Sequence, residues 1–445
     1  MLPEAIDWEV LCVKKRSPGS PDVLSKADHP LRVQLSKKSA QGKNQHYRII
    51  IQLNAKPNTK SVKVLQKHVH PHSLKVDRRL PLIRAVSASV SAKCIYKLCG
   101  CGDVAAVYLD RVRQTRLQYA TPSIGSDLAR KAGLTGKGIG IAVLDTGVYP
   151  HPDLTLPKKR IIAFQDLIAG RRNPYDDNGH GTHVAGDAAG NGRQSGGRYR
   201  GPAPEAAIIG VKVLDSSGSG FDSTIIQGIQ WCIDHKKELG IRLIVLSLGG
   251  PALTPPSRDP LCQAVRRATQ AGIAVFAAAG NSGPGKGTIE SPGIEPSAVT
   301  IGAADDHRTI SPADDTIAAF SGRGPATGGG SKPDLVAPGV GIVSLRAPRS
   351  QLDRLLPGSR VGTYYFRLSG TSMSTPLAAG AAAQLLQKRP ELTPAALKRL
   401  MKQRAFNLRE SAAAQGSGEV NVGFAAPKTK QCTSRTAKLR AGIRR

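Results

Sequence analysis

Five short runs, Ile139–Leu144, Ile208–Leu214, Leu243–Leu248, Ile273–Ala278 and Ala298–Ile301, are almost wholly apolar and constrain this chain more than any other feature. Strands without polar alternation are buried on both faces, which happens when helices cover both sides of a parallel sheet. The runs alternate with helical segments such as Ser223–Leu239 and Asp259–Ala271. The pattern predicts α/β architecture with a mainly parallel sheet. With 445 residues, the chain also has room for a second domain.

Texture changes mark that domain and its borders. Residues 1–43 are polar and carry Pro18, Gly19, Pro21 and Pro30, the composition of an extension. Over 44–113 the order predicted is strand Tyr47–Leu53, helix Ser61–Val69, an extended pair within Leu80–Val90, helix Ser91–Leu98 and strand Asp103–Leu109. This β-α-β-β-α-β order predicts a small two-layer unit. Residues 114–124 read as a linker, 125–410 as the α/β domain and 411–445 as a basic tail.

Several classes are excluded early. No stretch approaches the ~18 apolar residues of a membrane helix. Glu4, Asp7 and Glu9 stand where an export signal needs a basic and then apolar run, so a cytoplasmic protein is expected, with release by another route as the alternative. The seven cysteines, an odd number without regular spacing, predict reduced thiols, and Cys99-Gly-Cys101 alone is a weak metal or redox signal. The net charge of +31 favours polyanions through non-specific attraction, but no zinc-finger spacing or aromatic-interleaved basic motif accompanies it. A specific nucleic-acid partner is not expected.

Three segments carry the chemistry. Asp145 ends the run Ile141-Ala-Val-Leu, at the carboxyl edge of a strand, where α/β sheets bind ligands. Its Asp-Thr-Gly also occurs in aspartic proteases, but these pair two carboxylates, and no second copy exists. Asn178-Gly-His180-Gly-Thr-His183 places histidine at a helix start among small residues. The two histidines are three apart, and the spacing of four plus glutamate of a zinc motif is missing. In Ser369-Gly-Thr-Ser372-Met-Ser-Thr-Pro376, Ser372 begins an alanine-rich helix, where N–H groups favour a developing oxyanion; a plain helix cap is the alternative.

Together these segments, in the order Asp, His, Ser, resemble the subtilisin-like serine proteases. Ser247-Leu-Gly249 and Ala277-Ala-Ala-Gly-Asn281-Ser-Gly add to the resemblance, which spans about residues 121–410. Tyr199-Arg-Gly-Pro-Ala-Pro-Glu205 and Ser344-Leu-Arg are similar to the intracellular AprX-type alkaline serine proteases of bacilli. The resemblance implies a three-layer subtilisin-like α/β fold, preceded by a ferredoxin-like propeptide domain that chaperones and inhibits in cis. It implies a serine endopeptidase acting on proteins or peptides, with Ser372 as nucleophile, His180 as general base and Asp145 orienting it. It also implies Asn281 as oxyanion donor, and Gly218, Ser219, Gly220, Ser247, Leu248, Gly249, Ala278 and Gly280 as substrate-binding positions. Glu290 falls at the floor of the pocket for the residue before the cut, where a carboxylate selects Lys or Arg. Self-cleavage is expected between Arg113 and Thr121, with Arg116 the residue a basic preference would pick. No cofactor is required. Asp153 resembles a calcium ligand, yet the partner loop Asn191–Arg200 offers three arginines where oxygen ligands are needed, which argues against a tight site. The competing functions are a catalytically silent relative and a polyanion binder.

Overall fold

In strand β1, His46–Leu53, alternate residues Tyr47, Ile49, Ile51 and Leu53 are buried, so the strand covers one face with helices. This computed structural model describes residues 24–28, 31–32, 35, 46–55, 58–69, 74–80, 84–109 and 117–427. The chain divides into two units, residues 1–113 and 114–445. In the first, β1 is followed by α1 (Thr59–Val69), β2 (Lys75–Leu80), β3 (Ala85–Ser91), α2 (Ala92–Cys99) and β4 (Val104–Leu109). The strands form an antiparallel sheet in the order β2-β3-β1-β4. Leu65 and Val69 of α1 and Ile95 and Leu98 of α2 close its core. The ferredoxin-like order is therefore present, with β2 starting five residues earlier than the predicted extended pair.

The second unit opens with α3 (Leu117–Ser123) and α4 (Ser126–Lys131). Its parallel strands are β5 (Gly140–Asp145), β6 (Ile161–Asp166), β7 (Ala207–Lys212), β8 (Ile241–Leu246), β9 (Ala274–Ala278) and β10 (Val299–Asp305). The sheet order is β6-β7-β5-β8-β9-β10, extended by a parallel β12 (Leu335–Pro338) and a short antiparallel β11 (Thr316–Ile317) on β10. Successive residues point to opposite faces, and this builds three layers. Ile141, Val143, Leu243 and Val245 pack under α5 (His180–Ala189) and α8 (Thr371–Lys388). Ala142, Leu144, Ile244 and Leu246 pack under α6 (Asp222–Asp234) and α7 (Pro260–Gln270). Strand β5 lies between β7 and β8, so the chain reverses direction of travel across the sheet there; this switch point opens a crevice at the carboxyl edge. A small antiparallel sheet, β13 (Ile342–Leu345), β15 (Tyr365–Leu368) and β14 (Arg360–Val361), stands beside α5.

Three borders differ from expectation. Within the expected extension 1–43, Ala27 pairs with Val107, the Val107 N–H donates to the Lys26 carbonyl (2.7 Å), and Leu31 is fully buried in the core of the first unit, because Ala27 and Leu31 are apolar positions within an otherwise polar stretch. Leu117–Ser123 of the expected linker is helical, and Ala120 and Ile124 are fully buried in the core, because these two apolar residues pack where their polar neighbours read as a turn. Arg113 and Arg116 lie outside the described residues. The α/β unit also runs past residue 410. Glu419 pairs with Phe406, Val420 N–H donates to the Val336 carbonyl (2.9 Å), and Val422 N–H donates to Ile124 O (2.9 Å). Two buried valines amid alanines and glycines tie this stretch down, and of the expected tail residues 428–445 lie outside the described residues. Strand β6 was not anticipated, since Ile161–Asp166 is short and ends in Gln165 and Asp166.

Candidate active site

At the carboxyl end of β5, the carboxylate of Asp145 is fully buried. Its Oδ1 accepts from the Thr146 N–H at 2.7 Å and lies 2.8 Å from Nδ1 of His180; Oδ2 is 3.0 Å from the same nitrogen. His180 is the first residue of α5, after Gly179 at φ +105°. Asp176 fixes this helix start. Its two oxygens accept from the N–H groups of Asn178, Gly179 and Thr182 and from the hydroxyls of Thr146 and Thr182, at 2.6–3.2 Å. Gly181 is needed for contact: a Cβ there would stand 2.2 Å from the Gly147 carbonyl and 3.0 Å from Asp145 Cβ.

Burial alone would push the His180 pKa down. The Asp145 carboxylate, then Asp176 and Asp187, outweigh it and hold the imidazole above its ordinary value. His183 is differently placed: its ring nitrogens meet Asp187 Oδ2 (2.9 Å) and the Phe366 carbonyl (3.1 Å), so neither is open to a metal.

Ser372 is the second residue of α8, on the same cleft as His180. Its hydroxyl donates to the Ser247 carbonyl at 3.1 Å, while the Ser247 hydroxyl donates to the Ser372 carbonyl at 2.9 Å. Asn281 follows β9. The Thr371 N–H (2.9 Å) and hydroxyl (3.2 Å) both donate to its Oδ1, so its NH₂ is the end left for an acceptor in the cleft.

The cleft has a volume of about 730 Å³. Gly218, Ser219 and Gly220 form one edge, Ser247, Leu248 and Gly249 another, and Ala278, Gly280, Asn281 and Glu290 line it as well. Glu290 is half-buried in the gap between Gly249 and Gly280: Cβ atoms at those glycines would come within 3.0 and 2.5 Å of its side chain. Its Oε1 accepts from the Ser282 hydroxyl (2.8 Å) and the Asn281 N–H (3.3 Å). Among the lining residues that sequence reasoning missed are Leu214, read only as the end of a buried run, Ile225 and Leu261, read only as parts of helices, and the exposed Asp222.

Asp153 is not brought to this cleft. Gln194 N–H and the Tyr365 hydroxyl donate to its two oxygens at 2.9 and 2.7 Å. The Arg160 guanidinium donates to the carbonyls of Asp153, Ala189 and Ala206 beside it, so these oxygens are spent on an internal cation. This donor set does not fit calcium.

Residues 136–426 match the model of the subtilase family of peptidases. The chain is 47% identical over 373 residues to serine protease AprX of Bacillus subtilis (strain 168), covering 82% of this chain and 83% of that one. It is 39% identical over 294 residues to subtilisin Savinase of Lederbergia lenta, covering 66% and 93%. Among solved structures, the S41 psychrophilic protease aligns with a TM-score of 0.55 at 32% identity, over 65% of this chain and 92% of that one.

Proposed function

This chain belongs to the subtilase family and is a serine protease, and we propose that it cuts internal peptide bonds of proteins through a triad of Asp145, His180 and Ser372. The observation that carries the reading is convergence. A histidine bonded through Nδ1 to a buried carboxylate faces the same cleft as a serine at a helix N-terminus.

In this mechanism Ser372 Oγ attacks the scissile carbonyl, His180 Nε2 takes its proton, and Asp145 stabilises the imidazolium. The proton passes to the leaving amine, an acyl-enzyme forms on Ser372, and water repeats the sequence to release it. Asn281 NH₂ and the Ser372 N–H stabilise the oxyanion. An extended substrate pairing with the Ser247–Gly249 edge would compete for the Ser247 carbonyl and free the Ser372 hydroxyl to turn to His180. Gly218–Gly220 form the opposite edge of the substrate strand. Glu290, with one oxygen not engaged by Ser282 or Asn281, selects Lys or Arg before the cut.

The first unit, residues 1–113, acts in this reading as a propeptide removed by self-cleavage. Cys101, Cys232 and Cys262 are buried thiols outside any disulfide, which favours a reducing compartment and the cytoplasm as the place of action. No helix among the described residues is long and apolar enough to cross a membrane. A fluorophosphonate probe tests the centre. Labelling should map to the peptide containing Ser372 and vanish in Ser372→Ala and after His180→Ala; an unlabelled wild type would return the silent-relative reading.

A further inference from the structure

A second cavity, about 710 Å³, lies at the opposite edge of the parallel sheet from the cleft. Gly138, just before β5, Ile162 of β6 and Ala207, the first residue of β7, line it, all at strand amino ends. The cleft instead takes residues at or just past the carboxyl ends, such as Thr146, Leu214 and Ala278. Six cations line the second cavity: Lys137, Lys158, Lys159, Arg160, Arg193 and Arg200. Its one carboxylate, Glu205, accepts the Thr135 hydroxyl.

The protein accounts for two of the cations. Arg160 is buried on backbone carbonyls, and Arg200 donates from Nε to Asn191 O at 3.0 Å. Lys137, Lys158, Lys159 and Arg193 are exposed and form no ion pair among the described residues. Burial, and then the neighbouring Arg130, depress the Arg200 guanidinium below its ordinary value. Like charges crowded around a concavity focus a positive potential that a multivalent anion relieves.

We propose that this cavity binds a short linear polyphosphate anion. Its volume falls in the range that takes a small ligand and is too small to admit a duplex. Carboxylates on one face of an extended acidic peptide recur only every ~6.6 Å, whereas a polyphosphate presents charge at every unit. The described lining has no aromatic side chain to stack a base, so charge alone selects the ligand. Because the cavity and the cleft lie at opposite strand ends, the bound anion leaves the protease cleft open.

Calorimetric titration of the full-length Ser372→Ala chain with sodium tripolyphosphate tests this. One anion per chain is expected, with affinity falling as salt rises and screens the charges. Lys137→Ser/Lys158→Ser/Lys159→Ser/Arg193→Ser should weaken binding at least ~10-fold, the loss of about 1.4 kcal/mol or more. Lys158→Ser/Lys159→Ser alone should give a smaller loss with an unchanged melting temperature. A control with the same net charge, Arg172→Ser/Lys237→Ser/Arg267→Ser/Lys286→Ser, should bind within about twofold of the parent, well under one decade of affinity. Equal loss in the control, several anions per chain, no binding, or equal competition by a 20-base-pair DNA duplex would each overturn the proposal.

Discussion

A main-chain donor decides what Asn281 can do. Thr371 N–H reaches its Oδ1 and not its nitrogen, so the carboxamide has one sensible orientation, and the expected loss on Asn281→Ala is about 10²–10³ in kcat with KM little changed. Steady-state kinetics on a peptide amide will read it. For Glu290→Gln, the preference for Arg over Phe before the cut should fall by about 10-fold or more, the worth of one charge-assisted bond at ~1.5–3 kcal/mol. In the proposed mechanism His180 must be neutral to act as base, and because its carboxylate neighbours hold it above 6.5, the acid limb of the kcat/KM profile should lie above pH 6.5.

A second pair of residues governs stability instead. Asp315 and Glu419 are buried, and among the described residues no N–H or hydroxyl serves their carboxyl oxygens; their carboxyls can bond one another only while sharing a proton. Burial lifts Asp315 to about 6; the bond with Glu419 and, less, His307 pull the other way, while Asp306 and Asp314 add to the rise. Burial, then Asp315 and Asp306, lift Glu419 well above its ordinary value. The folded state therefore holds more protons than the unfolded one, and stability falls as pH rises from about 4 through 6 and beyond. Glu419→Gln supplies an amide donor, so it should raise the melting temperature at pH 8 and lose that advantage near pH 4.

Among the elements, helices α5 and α8 matter most, because they carry His180 and Ser372 and cross closely. At Gly380 of α8 a Cβ would stand 2.4 Å from the Ala188 carbonyl of α5. Gly380→Ala should cost about 1–3 kcal/mol by thermal or urea melt, the usual penalty of overpacking, and lower activity beyond the loss of folded enzyme. The strands were readable because burial on both faces leaves runs of Val, Ile and Leu. The site motifs were readable because close backbone approach demands glycine at fixed positions. Asp176 was not: its role depends on five donors, of which only Asn178 and Gly179 sit within three residues of it. It does stand four residues before His180, and an acceptor just ahead of a helix is a signal that could have marked it. Lys212 hid inside an apolar run, yet its ammonium is fully buried, donating to Thr146 O, Leu214 O and Asp177 at 2.6–2.8 Å. Helix α3 was missed because Pro122 and its polar neighbours resemble a turn.

At the scale of the whole molecule, the proposed self-cleavage would be constrained by what is already folded. A protease cuts extended chain, and α3 is helical with Ala120 in the core, so the mature form should begin before Leu117. Intact mass and N-terminal sequencing of the purified wild type should show this, while Ser372→Ala stays whole; a start within 117–121 would contradict it. The α/β unit is also closed on itself. Ile124, where the chain enters, accepts a bond from Val422, where it leaves, and a Cβ on Gly125 would stand 2.6 Å from Gly423 N. Such a unit is, in effect, a ring with one cut. Joining the two ends with a few residues and opening an exposed turn elsewhere should yield a circular permutant that folds to the same enzyme.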